Sequence, residues 1–405
     1  MPTGRRSGSI AYDDARVTAS RHPALPDRAS VVVIGGGVIG ASIAFHLAEA
    51  GVTDVVLLER DQLASGSTSR AAGGVRAQFS DPVNIAIALR SLSAFAAFHE
   101  RPGWAIDLHR VGYLFLLDRP GDVERFAENV AQQNELGVPS RMIGPDEAAG
   151  LSPLAGVEGV LGASFCPLAG HASPEAVVQG YASAARGLGV RIQTGCEAAG
   201  IEIDGGRIRA VATSLGRVET SAVVCAAGVW SRAVGEMAEV ELPVEPYLRE
   251  VGFTAPVERL PEAIPMTIDF TSGFYFHREG PGLLFGMADR DQAPGLDAPT
   301  DPDWLLKVMT IAERRAPALL DMGIAGGWKG AYEVTPDHNA MIGEARSVSR
   351  FLYATGFSGH GFLQGPAVGE IVRDLYLGEA PFVDVSGLTA ERFAGRTARP
   401  ELNII

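Results

Sequence analysis

Apolar positions along the chain fall into two textures. Val31–Ile34 is an unbroken β-branched run with no polar alternation, the pattern of a strand buried on both faces of a parallel sheet. Gly35 turns the chain, and Ile39, Ile43 and Leu47 recur four apart beside a row of Gly40, Ala44 and Ala48, predicting a helix to about Ala50. Gly51 ends that helix and Val55–Leu58 is the next strand, so the segment predicts one βαβ unit. Asp81-Pro82 and Ser173-Pro174-Glu175 each place a capping side chain before a proline, predicting two more helices. The second helix leads into "GVRIQTG", a third parallel strand. A meander broken at Gly205-Gly206 and Gly216 then returns to the main sheet at Ala222–Ala226.

From about 241 to 327 short aromatic runs separated by Pro and Gly predict a mostly antiparallel second sheet, with one helix near Asp303–Leu320. The first texture resumes at "FLYAT", followed by a glycine-rich loop and a helix with Pro366 in its first turn. The fold class expected is α/β: a Rossmann-type dinucleotide domain with an inserted α+β substrate domain. Residues 29–105, 160–240 and 326–385 form the first domain and residues 106–159 and 241–325 the second. Residues 1–28, polar and arginine-bearing, are expected to be a flexible extension, and 386–405 a C-terminal tail.

Gly35-x-Gly37-x-x-Gly40 then acquires a meaning. The first glycine permits the turn, the second lets a pyrophosphate approach the backbone, and the third lets helix pack on strand. The helix start, with Val38 and Ile39, offers free amides and a positive dipole end to phosphate. Glu59, closing the second strand, is placed to accept hydrogen bonds from an adenosine ribose and disfavours a 2′-phosphate. NAD and FAD both remain open at this point. The second glycine loop, Gly356-Phe357-Ser358-Gly359-His360-Gly361-Phe362, carries no downstream acid. Its helix start suits a group that becomes anionic in turnover, such as the N1–C2=O edge of a reduced flavin.

Five ordered stretches, "GGGVIG", "LLERDQLASGSTSRAAGGVR", "VVCAAGVWS", "YEVTPDHNAMIG" and "GFSGHGF", resemble the glycine/D-amino-acid oxidase family of flavoproteins, which includes the sarcosine oxidases. The resemblance spans residues 30–385 and implies FAD held extended under the first loop, with Gly35, Gly37 and Gly40 facing the pyrophosphate and Glu59 the ribose. It places Arg60, Ser67, Thr68, Arg70, Ala71 and Gly74 along pyrophosphate and flavin, and Cys196 at the adenine. Ala226, Ala227, Gly228 and Trp230 are implied for the pyrophosphate wall, and Gly356–Gly361 for the pyrimidine edge. Gly330 stands where monomeric sarcosine oxidase has its flavin-bearing cysteine, so the FAD is expected to be noncovalent. Leu284 and Leu363 stand where that enzyme has lysines, one of which activates oxygen. The electron acceptor is therefore oxygen or a separate carrier.

Arg76, after Gly73-Gly74, offers a guanidinium fork for a substrate carboxylate. Tyr332 and Tyr275 are expected to line the same pocket and His360 to contact substrate or flavin; His277 and His338 are weaker candidates. His22, His46, His99, His109 and His171 form no constellation, and no metal-ligand spacing emerges. The expected chemistry is oxidation of the C–N bond of a small amino acid or N-methylated amine. The alternatives are 2-hydroxy-acid oxidation with His360 as base, or a flavin-stabilised scaffold or complex subunit. A net charge of −14 argues against nucleic acid or anionic membrane as partner, and oligomers with itself or other subunits stay open. The absence of any run of ~18 apolar residues argues against a membrane span. Three scattered cysteines predict neither disulfides nor zinc, and a reducing cytoplasm.

Overall fold

A computed structural model describes residues 24–289, 291–395 and 399–404. The expected central strands form with the expected bounds, Val31–Ile34 and Val55–Leu58. They lie in a six-stranded sheet whose order, from one edge, is Met341–Glu344, Phe351–Thr355, Val223–Cys225, Val31–Ile34, Val55–Leu58, Arg191–Gln193. All pairings are parallel except the Met341–Glu344/Phe351–Thr355 hairpin. The unbroken apolar runs now have a cause. Val31 and Val33 face one core with the helices, while Val32 and Ile34 face another against the meander, so neither side of the strand meets water.

The helix Val38–Glu49 is buried on nearly every side because helices Pro174–Gly187 and Gly361–Leu377 flank it. His46 sits in that contact, its Nδ1 2.8 Å from the Ser42 carbonyl, and burial drives its pKa down to about 3. Asp81 and Ser173 cap their helices as expected, accepting from the amides of Val83 and Ala176.

The second sheet has eight strands in the order Ile324–Val334, Glu245–Thr254, Gly282–Gly286, Phe274–Glu279, Met266–Asp269, Tyr113–Leu117, Gly162–Cys166, Arg141–Ile143. It is antiparallel apart from the pairing of Met266–Asp269 with Tyr113–Leu117. Helix Trp304–Arg315 is fastened beneath it by buried Arg315, which donates to Asp269 at 2.7 Å and Asp118 at 2.8 Å.

Several expectations need correction. Gly162–Cys166 and Ile324–Val334 belong to the eight-stranded sheet rather than with the dinucleotide half, because their partners there supply long antiparallel ladders. The helix near Asp303–Leu320 stops at Arg315 and continues as a 3₁₀ turn over Pro317–Asp321, since Pro317 has no N–H to extend it. Pro366 lies inside Gly361–Leu377 rather than in its first turn. Of the N-terminal extension, residues 1–23 lie outside the described residues. The remainder docks on the meander, with Glu219 exchanging backbone hydrogen bonds of 2.8 Å with Asp27 and Ala29. The C-terminal segment is likewise packed: Arg392 forks onto Asp337 at 2.8 and 2.9 Å, and Glu401 and Asn403 are buried.

Candidate active site

A single cleft of about 630 Å³ runs from the carboxyl ends of the six-stranded sheet to the face of the eight-stranded one. Placement beyond the carboxyl ends of the strands is what a doubly wound sheet offers a ligand. At its first end Gly35, with φ +116°, takes a backbone conformation that a side chain would strain, and a Cβ there would strike the Ala226 carbonyl. A Cβ on Gly40 would strike the carbonyl of Gly35, so helix and strand touch at that glycine. The Val38 amide donates to Thr68 Oγ1 at 3.2 Å, while those of Ile39 and Gly40 have no acceptor among the described residues. Glu59 is held by the amides of Gly36 (2.7 Å) and Asp61 (2.8 Å), which aims its carboxylate along the cleft wall. Arg60 lies 4.5 Å over the Trp230 ring beside buried Cys196.

In the middle, Ser67 donates to the Ala331 carbonyl at 2.6 Å and Arg70 Nη1 to the carbonyls of Ser65 (2.6 Å) and Gly66 (3.0 Å). Gly330 meets this loop so closely that a Cβ would lie 2.9 Å from Arg70 Cβ. Ala71, Gly74, Ala226, Ala227 and Gly228 line the same wall. These glycine contacts, free amides and positioned carboxylate could hold an extended dinucleotide such as FAD, with Glu59 available to a ribose and the first helix start to a pyrophosphate.

At the far end the second loop presents Ser358, Gly359, His360, Gly361 and Phe362 to the cleft. The amides of Gly361, Phe362 and Leu363 have no acceptor among the described residues, as a flavin carbonyl would require. Two expected members do not reach it. The Gly356 amide is spent on Glu333 at 3.0 Å, and the Phe357 ring is buried in the helix-side core. Gly40, expected both to pack helix on strand and to face the pyrophosphate, packs against Gly35 and Val33 and does not line the cleft.

Arg76 is 1% exposed and bonds the carbonyls of Gln78 and Asn403 (2.7 Å), with His360 Nε2 at 3.3 Å. No carboxylate among the described residues comes within ion-pair distance of it. It sits amid the rings of Phe79 (4.3 Å), Phe115 (5.4 Å) and Tyr113 (5.8 Å). Burial raises the hydroxyls of Tyr113 (to about 12), Tyr275 and Tyr332, so all three are neutral donors. Gly359, at φ +96°, leaves room for the Tyr332 ring where a Cβ would collide. Burial and then Arg76 push His360 well below the usual imidazole range, so it is neutral and its Nε2 accepts from the guanidinium.

Arg249, Tyr113, Glu333 and Met266 are among the cleft residues that escaped the sequence reading. The signal for Arg249 was the alternation in "EPYLREVGFT", which puts Arg249 and Val251 on the face lining the cleft. Asn403 contributes only a backbone carbonyl, which no motif reveals. His277 and His338 do not line the cleft. His277 instead packs 4.4 Å from His171, and with Glu279 these place ligand atoms within 4.8 Å of one another, a grouping that sequence spacing missed. All three cysteines are free and buried, and no described helix is long and apolar enough to cross a membrane.

Comparison with known proteins follows this geometry. The chain is 29% identical over 393 residues to 4-methylaminobutanoate oxidase (formaldehyde-forming) of Paenarthrobacter nicotinovorans, covering 93% of this chain and 47% of that protein. It is 29% identical to mitochondrial dimethylglycine dehydrogenase of Mus musculus, over 96% of this chain and again 47% of the relative. The chain thus spans about half the length of these curated relatives. The solved structure of L-proline dehydrogenase from P. horikoshii superimposes with a TM-score of 0.86 at 33% identity, covering 91% of this chain and 99% of that one. Residues 30–375 match the family described as FAD dependent oxidoreductase, and the chain belongs to that family.

Proposed function

We propose that this protein oxidises the C–N bond of a small amino acid or N-alkylated amino acid. The observation that carries the reading is Arg76, a fully buried guanidinium with no carboxylate partner among the described residues, at the cleft's flavin end. A substrate carboxylate would complete its hydrogen bonding in a bidentate pair. When bound, FAD supplies the acceptor for a hydride from the carbon beside nitrogen, and the resulting imine hydrolyses in water. The chain's own residues position and desolvate. Arg76 fixes the carboxylate, and Tyr275 and Tyr332, kept protonated by burial, are available to donate hydrogen bonds to a bound substrate. A neutral amine needs no strong base. The engagement of His360 Nε2 with Arg76 supports this reading over 2-hydroxy-acid oxidation, which needs a free base on the hydroxyl.

The FAD is noncovalent in this reading, because Gly330 offers no thiol at the flavin end and Cys196 lies at the other. Electrons leave to a carrier rather than rapidly to oxygen: Leu284 is buried, Leu363 lines the cleft, and no lysine lines it among the described residues. Anaerobic addition of sarcosine, proline, glycine, a panel of D- and L-amino acids, and 2-hydroxy acids to the yellow holoprotein tests the proposal. Bleaching of the flavin band by at least one of the amino acids is expected, with little peroxide on repeating in air. A flavin that stays oxidised throughout, or that is bleached only by hydroxy acids, overturns it.

A further inference from the structure

Beside Arg76, the substrate end of the cleft holds another cation that the proposed chemistry leaves without a task. Arg249 lies on strand Glu245–Thr254 opposite Gly330, its guanidinium 5.3 Å from the Tyr332 ring centroid and 5.7 Å from that of Tyr247. One Nη donates to its own Leu248 carbonyl at 3.0 Å, and its buried Nε has no partner among the described residues. The neighbouring acids are engaged elsewhere. Glu250 faces Lys329 at 3.7 Å, and Glu245 faces Arg232 at 3.7 Å. Glu333, the one acid at this end of the cleft among the described residues, accepts from Thr355 Oγ1 (2.8 Å) and the Gly356 amide (3.0 Å). Buried arginines away from the cleft are treated differently: Arg315 and Arg392 each fork onto aspartates.

At this end of the cleft two guanidinium groups, Arg76 and Arg249, therefore have no carboxylate in ion-pair contact among the described residues, while Arg60 and Arg70 lie further along it. Like charges in a partly dry cavity repel, and each leaves donors unmet, unless the ligand brings two anions. Their depths differ as well. Arg76 is sealed at the bottom and Arg249 is part-exposed, with Tyr332 lining the cleft near Arg249.

Resting on the amino-acid reading above, we infer that Arg249 is a second anion subsite and that the substrate class is an amine bearing two carboxylates. Arg76 takes the carboxylate next to the oxidised carbon and Arg249 takes the other, on the second nitrogen substituent or on the side chain. The reaction itself is unchanged. Arg249 decides which amines are held in register for it.

The test uses holoprotein and a pair of unreactive sulfur analogues, thiodiacetate with two carboxylates and methylthioacetate with one. Binding is read from the shift of the flavin absorbance spectrum. Iminodiacetate and sarcosine are compared in parallel for anaerobic flavin reduction. The dianions are expected to bind about tenfold to a hundredfold more tightly than the monoanions, the range of one charged hydrogen-bonded contact. In Arg249→Gln that preference disappears, the dianions losing more affinity than the monoanions, while FAD content stays as in wild type. Equal binding of the paired ligands by wild type, or a preference that survives the substitution, overturns the inference and leaves the amino-acid reading standing. The wild-type comparison decides this even should the variant fold poorly. If none of these ligands perturbs or reduces the flavin this inference falls, and if the amino-acid panel above also leaves it oxidised the amino-acid reading falls as well.

Discussion

The two ends of the cleft are made from different materials. The nucleotide end is built from backbone: a glycine turn, a helix start and one acid, all drawn from residues 31–59. The proposed substrate pocket, beyond the second glycine loop, is built from side chains of Arg76, Tyr113, Arg249, Tyr275, Tyr332 and His360, which come from separate loops and strands. Backbone amides bind phosphate whatever the neighbouring residues, so that end recurs with one spacing and tolerates drift around it. Side chains select by shape and charge, so the other end can change substrate without disturbing the fold.

The comparison can be broken most sharply at Gly40. Replacing it by Val drives a branched side chain into the Gly35 carbonyl. A loss of more than ~3 kcal/mol is expected, with little FAD retained, in the flavin absorbance per chain and the thermal midpoint. A stable, yellow Gly40→Val protein would mean that the first loop does not bind as described.

Arg76→Lys probes the opposite end. It keeps the charge but loses the fork, so substrate binding should weaken by about 2–4 kcal/mol while FAD content is unchanged. Anaerobic titration against flavin reduction separates the two quantities. Equal loss of both cofactor and substrate would erase the distinction between the ends.

A third contrast is in proton linkage. His46 and His171 are held down to about 3 and His277 to about 4, each chiefly by burial, and His360 lies well below its usual range. An unfolded chain binds protons at these imidazoles below pH ~6.5 where the folded one does not, so stability is full above that pH and falls on acidification. Each group contributes a slope of at most about 1.4 kcal/mol per pH unit until its folded pKa is reached. Three of the four lie outside the dinucleotide half's helices, so urea melts between pH 7 and 5 should show His360→Asn flattening the slope at the substrate end.

The smallest effect expected is from deleting residues 399–405. Arg76 loses the Asn403 carbonyl, and Ser80 and Asp81 lose Glu401. Substrate affinity should drop about tenfold, the worth of one hydrogen bond to a charge, with FAD unaffected.

The same division governs what could be read before the fold was known. Val31–Ile34, Val38–Glu49, Val55–Leu58 and the caps at Asp81 and Ser173 are local patterns, and they form as expected. Gly162–Cys166 was put on the wrong side because a short apolar strand does not name its partner; only its ladder with Tyr113–Leu117 does. Arg76 and Tyr332 were found through family likeness. Arg249 was missed because its meaning lies in which acids are absent around it in space, and the Asn403 carbonyl because a backbone atom carries no residue signature.

Within the six-stranded sheet, Val31–Ile34 has Val223–Cys225 on one side, and Phe351–Thr355 lies next to that. Neighbours so distant along the chain close large loops, whose entropy opposes assembly before any contact repays it. A ligand that touches both glycine loops therefore acts as a removable staple. Riboflavin starvation should shorten the lifetime of this protein through proteolysis of its open form, well before any defect in its turnover is measured.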